Sequence, residues 1–320
     1  MSNNGKVLLV GTGEMAKEYV KILCDLKCDY IIVGNSVESV ENFRDATGQD
    51  AISGGVFKFI NDRKEDMPGK AIVAVNPDAL YDVTKSLVKA GVKKILVEKP
   101  GVISVQQARD LVMIAKEFEA TIYVGYNRRY YNAVREARRI IDEDGGIESF
   151  SFEFTEWSDQ IKELNYTEEL FNKWFLLNSS HVVDLAFWIC GKPKEITSYV
   201  CGELPWHAVG KKFVGAGITI ANIPFSYQAN WDAPGRWKVE ILTQSHRLYL
   251  CPMEKLQVQD RNKVVTYEVE YTDEWDNKYK PGLYREILDF INEGNSNTCC
   301  LIEEQCNNLE IYSKISGEKY

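Results

Sequence analysis

The chain has 320 residues, 45% of them hydrophobic, and its 38 basic side chains stand against 47 acidic ones for a net charge of -9. That is two domains' worth of chain at ~100–200 residues each. The acidic balance argues against a nucleic-acid backbone as partner, no basic amphipathic run points to a membrane surface, and no apolar stretch approaches the ~20 residues of a membrane span. Residues 1–6 lack the apolar core of a signal peptide, so a cytoplasmic chain is expected. Its eight cysteines are spread out with no C-x-x-C spacing, which predicts reduced thiols and no metal site.

In chain order, residues 6–10 are a short apolar run closed by glycine, the pattern of a buried parallel strand. A helix is expected over 14–26, a strand over 30–33 and a helix over 37–46 after Ser36. Strands at 71–75, 94–97 and 121–125 alternate with helices at 80–90 and from Ser104 to about 118, where Gln107 completes a capping box. Strand-helix alternation with short links means βαβ units and a doubly wound parallel sheet. From a helix at 131–143 onward the pattern changes. Alternating runs at 147–155, 195–201, 217–223, 226–231, 237–242, 247–251 and 263–271 predict a large, mostly antiparallel open sheet, interrupted by a helix at 180–190. Residues 271–279 read as a solvated loop, and helices at 283–291 and 303–316 close the chain. The expected fold class is therefore an α/β Rossmann domain over 1–121 followed by an α+β domain over 122–320.

Gly11-Thr12-Gly13-Glu14-Met15-Ala16 is a G-x-G-x-x-A that follows a strand and opens a helix. In that context it predicts a dinucleotide site. Gly11 allows the tight turn, Gly13 lets a pyrophosphate approach the backbone, Ala16 lets helix and strand pack, and the helix N-terminus supplies N–H donors. NAD sites place a carboxylate at the end of the second strand, but here Gly34-Asn35-Ser36 stands there. With no charge to repel a 2′-phosphate and two groups able to donate to one, NADP is slightly favoured over NAD.

A more specific arrangement runs through the rest of the chain. Val75-Asn76-Pro77, then a helix, then Gly91 through Val97-Glu98-Lys99-Pro100, resembles the Gfo/Idh/MocA oxidoreductases, the family of glucose-fructose oxidoreductase and inositol dehydrogenase. The segment from Gly125 through Tyr126-Asn127-Arg128 looks like that family's domain junction. Ser180-His181 through Asp184, with Trp188 to Gly191, looks like its central helix. The resemblance implies hydride transfer between nicotinamide and a secondary alcohol or ketone carbon of a sugar, nucleotide-sugar or polyol. It also implies a C-terminal sheet that pairs face to face in a homo-dimer or homo-tetramer. Asn76, Pro77, Glu98, Lys99 and Asn127 join the glycine turn as expected cofactor contacts.

Lys99, after a parallel strand, can move a proton to or from the reacting oxygen if its pKa falls toward the working pH. His181 and Asp184 are three residues apart and share a helix face, so they complete the expected catalytic set. Many relatives carry an aspartate four residues before this histidine, whereas this chain has Leu177. Asp184, one turn beyond His181, could supply the missing carboxylate and orient the imidazole; the favoured expectation is that it does not, so that Lys99 carries the proton chemistry alone, His181 only positions substrate and Asp184 serves helix packing or the domain interface. For substrate, Trp231 and Arg236 in a polar turn, Trp157, Tyr126, Arg128 and Asn178 are the candidates, suited to stack on a sugar and grip its hydroxyls or an anionic group. Two other functions compete. One is a glycoside hydrolase using bound NAD for a transient oxidation; the other is a non-catalytic dinucleotide-binding sensor.

Overall fold

The computed structural model describes residues 5–63, 66–271, 273–292 and 297–320. The chain divides into two compact units, 1–126 with 283–307, and 127–282 with 308–320.

In the first unit, β1 (Val7–Val10), α1 (Glu14–Asp25), β2 (Tyr30–Val33), α2 (Val37–Thr47), α3 (Gly55–Asp62), β3 (Lys70–Val73), α4 (Leu80–Lys89), β4 (Lys94–Glu98), α5 (Val105–Glu117) and β5 (Thr121–Gly125) alternate as expected, with α3 an addition. The parallel strands lie in the order β5-β4-β3-β1-β2. All four residues of β1 are buried, which is why that stretch is apolar without alternation. Ser36 caps α2 by accepting from the Ser39 N–H, and Ser39 reciprocates to the Ser36 N–H. Ser104 caps α5 in the same way, but Gln107 reaches back to the Ile103 N–H rather than to Ser104.

In the second unit, α6 (Asn132–Glu143) precedes β6 (Ser149–Glu153). Two single turns, α7 (Ser158–Ile161) and α8 (Glu168–Phe171), lead to a π-helical turn at Phe175–Ser179 and the buried helix α9 (Ser180–Cys190). Then come β7 (Pro193–Cys201), β8 (Lys212–Thr219), β9 (Pro224–Asn230), β10 (Lys238–Leu242), β11 (His246–Leu250), β12 (Gln257–Asp260), β13 (Thr266–Glu268) and α10 (Glu274–Lys278). The eight strands run β13-β12-β11-β10-β6-β9-β8-β7, antiparallel except for β6 beside β9. Phe150, Phe152 and Phe154 alternate onto the face covered by Phe187 of α9, with Tyr227 stacked on Phe152 at 5.2 Å. The strand expected at 217–223 begins earlier, at Lys212. Gly215 and Gly217 in this strand each lie where a Cβ would strike a ring, of Tyr227 or Phe225. The expected loop 271–279 holds α10, capped by Asp273; Thr272 lies outside the described residues.

The chain then returns to the first unit. α11 (Leu283–Ile291) packs on α1, and β14 (Cys300–Leu301) pairs antiparallel with β5 before α12 (Ile302–Ser316) begins. This corrects the expected division at 121/122. The break falls after Tyr126, and 283–307 belongs with the Rossmann sheet because β5 would otherwise be an uncovered edge. No described helix is long and apolar enough to cross a membrane, and no disulfide joins described residues.

Candidate active site

The glycine turn sits at the carboxyl end of β1. Gly11 has φ +120 and lies so close to the adjoining backbone that a Cβ would meet the Ala74 carbonyl oxygen at 2.1 Å. No L side chain fits there, and the turn is held flush on the sheet. Gly13 is the N-cap of α1 and has no side-chain cap; a Cβ on it would meet nothing within 4 Å. A helix N-terminus with space in front of its N–H groups fits a pyrophosphate. Thr12 lies against Gly34, Met15 is half-buried, and the Glu14 carboxylate takes a hydrogen bond from Lys17 at 2.7 Å. At the end of β2, the Gly55 N–H donates to the Gly34 carbonyl, which sets the Gly54–Gly55 turn beside Asn35. The Lys58 side chain lies over Gly54, so this strand end has a lysine nearby that sequence reading missed. Asn76 is exposed after β3 and Pro77 half-buried.

Lys99 follows β4 in a tight turn closed by the Gly101 N–H on the Glu98 carbonyl at 2.9 Å. Its neighbours are fixed from below. The buried Tyr19 hydroxyl donates to Glu98 Oε1 at 2.6 Å, and burial together with the Glu98 charge holds that phenol well above its usual pKa. Gln305 donates to the Pro100 carbonyl at 2.9 Å and accepts from the Tyr126 hydroxyl at 3.2 Å. Tyr126 is 1% exposed, so its place as a substrate contact is corrected. It braces the Lys99 turn through Gln305.

In the second unit, α9 presents His181, 5% exposed, whose ring lies 6.1 Å from that of Trp237. Asp184 does not orient this histidine. Its two oxygens accept from Arg129 Nε and Nη2. Asn127 likewise spends its amide on the Pro281 carbonyl at 2.9 Å.

The carboxylate missing at Leu177 has a counterpart that sequence reading passed over. Glu156 is fully buried. Its Oε1 accepts from Ser179 Oγ at 2.6 Å and from Asn178 Nδ2 at 3.1 Å, while Oε2 accepts from the same Asn178 nitrogen at 3.0 Å. Arg236 Nη1 stands 3.7 Å from Oε2. Burial pushes the Glu156 carboxyl up to about 7, against the pull of Ser179, Arg236 and Asn178. The signal was present: 156 continues the even-numbered, inward face of Phe150, Phe152 and Phe154, where a charge is rare unless it has a task. Asn178 and Ser179 come from the π-helical turn, a distortion common at functional sites. That turn is pinned at its start by the Phe175 N–H donating to buried Glu318 at 3.2 Å. Glu156, Trp157, Asn178 and Arg236 line a cavity of about 210 Å³.

Of the remaining candidates, Trp157 is 47% exposed, and its indole donates to the Gly235 carbonyl at 3.0 Å. A Cβ on Gly235 would meet Glu153 Oε1 at 2.5 Å and Thr155 Cγ2 at 2.9 Å, so this turn lies close against the end of β6. Trp231 is corrected: at 1% exposed it is packed on Trp206, His207 and Phe213, with its N–H on the Phe154 carbonyl, and it is core. Trp237 takes the aromatic position beside His181 instead.

Comparison with known proteins agrees with these features. Residues 5–126 match the model of GFO_IDH_MocA, an oxidoreductase family with an NAD-binding Rossmann fold. No curated protein matches in sequence. Among solved structures, a levoglucosan dehydrogenase in complex with NADH and L-sorbose superposes with TM-score 0.80 at 17% identity, covering 99% of this chain and 97% of that one. UDP-N-acetylglucosamine 3-dehydrogenase from Acidithiobacillus ferrooxidans gives 0.75 at 13%, covering 99% and 98%. A dehydrogenase from Clostridium difficile gives 0.77 at 18%, covering 97% and 98%. At these identities the likeness is one of fold. Residues 5–126 are thus similar to the NAD-binding Rossmann part of the GFO_IDH_MocA oxidoreductases, and the whole chain shares the fold of the solved dehydrogenases.

Proposed function

We propose that the protein is a dehydrogenase of a sugar, nucleotide-sugar or polyol, with Lys99 as proton donor and acceptor and His181 as a substrate-positioning residue. The observation that carries this reading is the braced turn around Lys99, with Tyr19 on Glu98 and Gln305 on Pro100. A strand-end lysine of no consequence needs no such support. The solved neighbours that act on levoglucosan and on a UDP-sugar support the substrate class.

A bound nicotinamide supplies the hydride acceptor or donor. The chain's residues do the rest. In the first unit the Gly11–Ala16 turn and the α1 N-terminus would hold the pyrophosphate and Lys99 would take the alcohol proton or return it to the ketone oxygen; in the second, His181, Asn178 and Trp157 would orient hydroxyls and ring faces. NADP is our preferred cofactor, because residues 34–36 carry no carboxylate and Lys58 adds a cation near that strand end. A second copy of the chain is the proposed partner, on the sheet face where Thr197, Tyr199, Val214, Ala216, Ser226 and Gln228 are exposed. A turnover screen of polyols, ketoses and UDP-sugars with NAD and NADP tests the reading. Net formation of reduced cofactor is expected. Tight cofactor retention with glycoside cleavage and no net reduction would favour the hydrolase.

A further inference from the structure

Trp237 carries two cations. The guanidinium of Arg128 lies 4.7 Å from its ring centroid and that of Arg236 4.6 Å. Arg236 is stacked on Trp157 as well, at 4.4 Å. These groups all belong to the second unit. Neither guanidinium makes a hydrogen bond to a described residue, and the nearest carboxylate, Glu156, stands 3.7 Å from Arg236, beyond hydrogen-bond reach. By contrast Arg129, one residue along from Arg128, spends its fork on Asp184.

Stacking holds each guanidinium plane while leaving its N–H donors in the plane free for a ligand. Both cations sit on one indole, within about a Debye length of each other, and with Arg236 44% exposed their mutual repulsion is modest and a ligand can reach Arg236 from solvent. A neutral polyol would leave that repulsion in place. An oxyanion relieves it and fills the donors in the bidentate geometry that guanidinium favours. An acidic chain, at -9 overall, has concentrated positive charge here beside His181 and the Glu156 cavity.

We infer that Arg128 and Arg236, presented by Trp237 and Trp157, form an oxyanion-holding subsite, so that the substrate is an acid: a sugar or polyol bearing a carboxylate or a phosphate. This rests on the dehydrogenase reading for the word substrate, while the binding claim stands apart from turnover. Both arginines stood among the sequence candidates for an anionic group; the structure adds that Trp237 brings them onto one ring, although Arg128 lies over a hundred residues from Arg236.

The test uses the full chain and three matched probes, D-gluconate, sorbitol phosphate and sorbitol, titrated by calorimetry and by tryptophan fluorescence. At least one of the two acids is expected to bind about tenfold or more tightly than sorbitol. The acid that binds tighter identifies the anion. Arg128→Met and Arg236→Met should each remove most of that preference and leave NADPH binding unchanged, with circular dichroism confirming the fold. Equal binding of sorbitol and the acids, no binding of either acid, or a preference that survives both substitutions overturns the subsite. Arginine-dependent acid binding with no turnover of any alcohol would sustain the subsite and reject the dehydrogenase.

Discussion

Arg129 donates from Nε and Nη2 to the two carboxylate oxygens of Asp184, at 2.7 and 2.5 Å, with both side chains 1% exposed. The pair ties the turn after Tyr126 to the middle of α9, the helix that begins beside His181. Breaking one side of a buried ion pair strands the other charge, which costs about 3–5 kcal/mol. Asp184→Asn should therefore lower the unfolding free energy by that order in a denaturant titration. The acidic limb of the pH–rate profile should stay where it is, because Asp184 has no hydrogen bond to His181. A shifted limb with unchanged stability would return Asp184 to the proton relay.

Lys99→Met should reduce turnover by ~10²–10⁴-fold, the usual loss of a general acid/base, with cofactor affinity within a few-fold. The two effects separate because phosphate binding belongs to the Gly11–Ala16 turn. Steady-state rates and a fluorescence titration of the reduced cofactor measure them independently. Near-normal turnover in the variant would remove Lys99 from the mechanism.

Cofactor choice turns on the end of β2. Asn35→Asp places a carboxylate where the structure has none, and should swing preference toward NAD by repelling the 2′-phosphate. Lys58→Glu should act in the same direction and more weakly, since Lys58 is exposed. Dissociation constants for NADH and NADPH in the three proteins decide it. An unmodified protein that prefers NADH refutes the NADP proposal.

Glu156 gives stability a pH dependence of definite sign. Its carboxyl is raised by burial from 4.5 to about 7 in the folded protein, so the native state binds the proton more tightly than the unfolded chain. Its contribution is fully present below about 4.5 and is lost as pH rises through about 7, an amount on the order of 3 kcal/mol. Glu156→Gln should flatten this part of the stability curve between mildly acidic and mildly alkaline buffer. A variant whose unfolding still weakens with pH as the parent's does would assign the dependence to other groups.

The Rossmann elements were legible because their signals are local: four-residue apolar runs, Ser36 and Ser104 as caps, and Gly11 at a turn where no Cβ fits. The resemblance carried the central helix. What escaped depends on distant chain. Residues 283–307 join the first unit by strand pairing and helix packing that no local pattern announces. Trp231 and Trp237 flank the same turn and look alike in sequence. One is sealed into an aromatic core and the other holds two arginines, a difference fixed by which residues of β8 and α9 arrive beside them. Asp184 kept the spacing of a relay partner, but Arg129 reached it first. Glu156 was hidden by its place just past the strand, although its parity put it among the buried phenylalanines.

The central claim is that hydride passes between a substrate carbinol carbon and nicotinamide. The most direct measurement takes the panel member that reduces the cofactor, deuterates its carbinol carbons, and reads the isotope in the isolated reduced nicotinamide by mass spectrometry. Deuterium should appear in the cofactor with the unmodified protein and fall with turnover in Lys99→Met. No reduction by any sugar, polyol or nucleotide-sugar, or a reduced cofactor without label, would contradict the account.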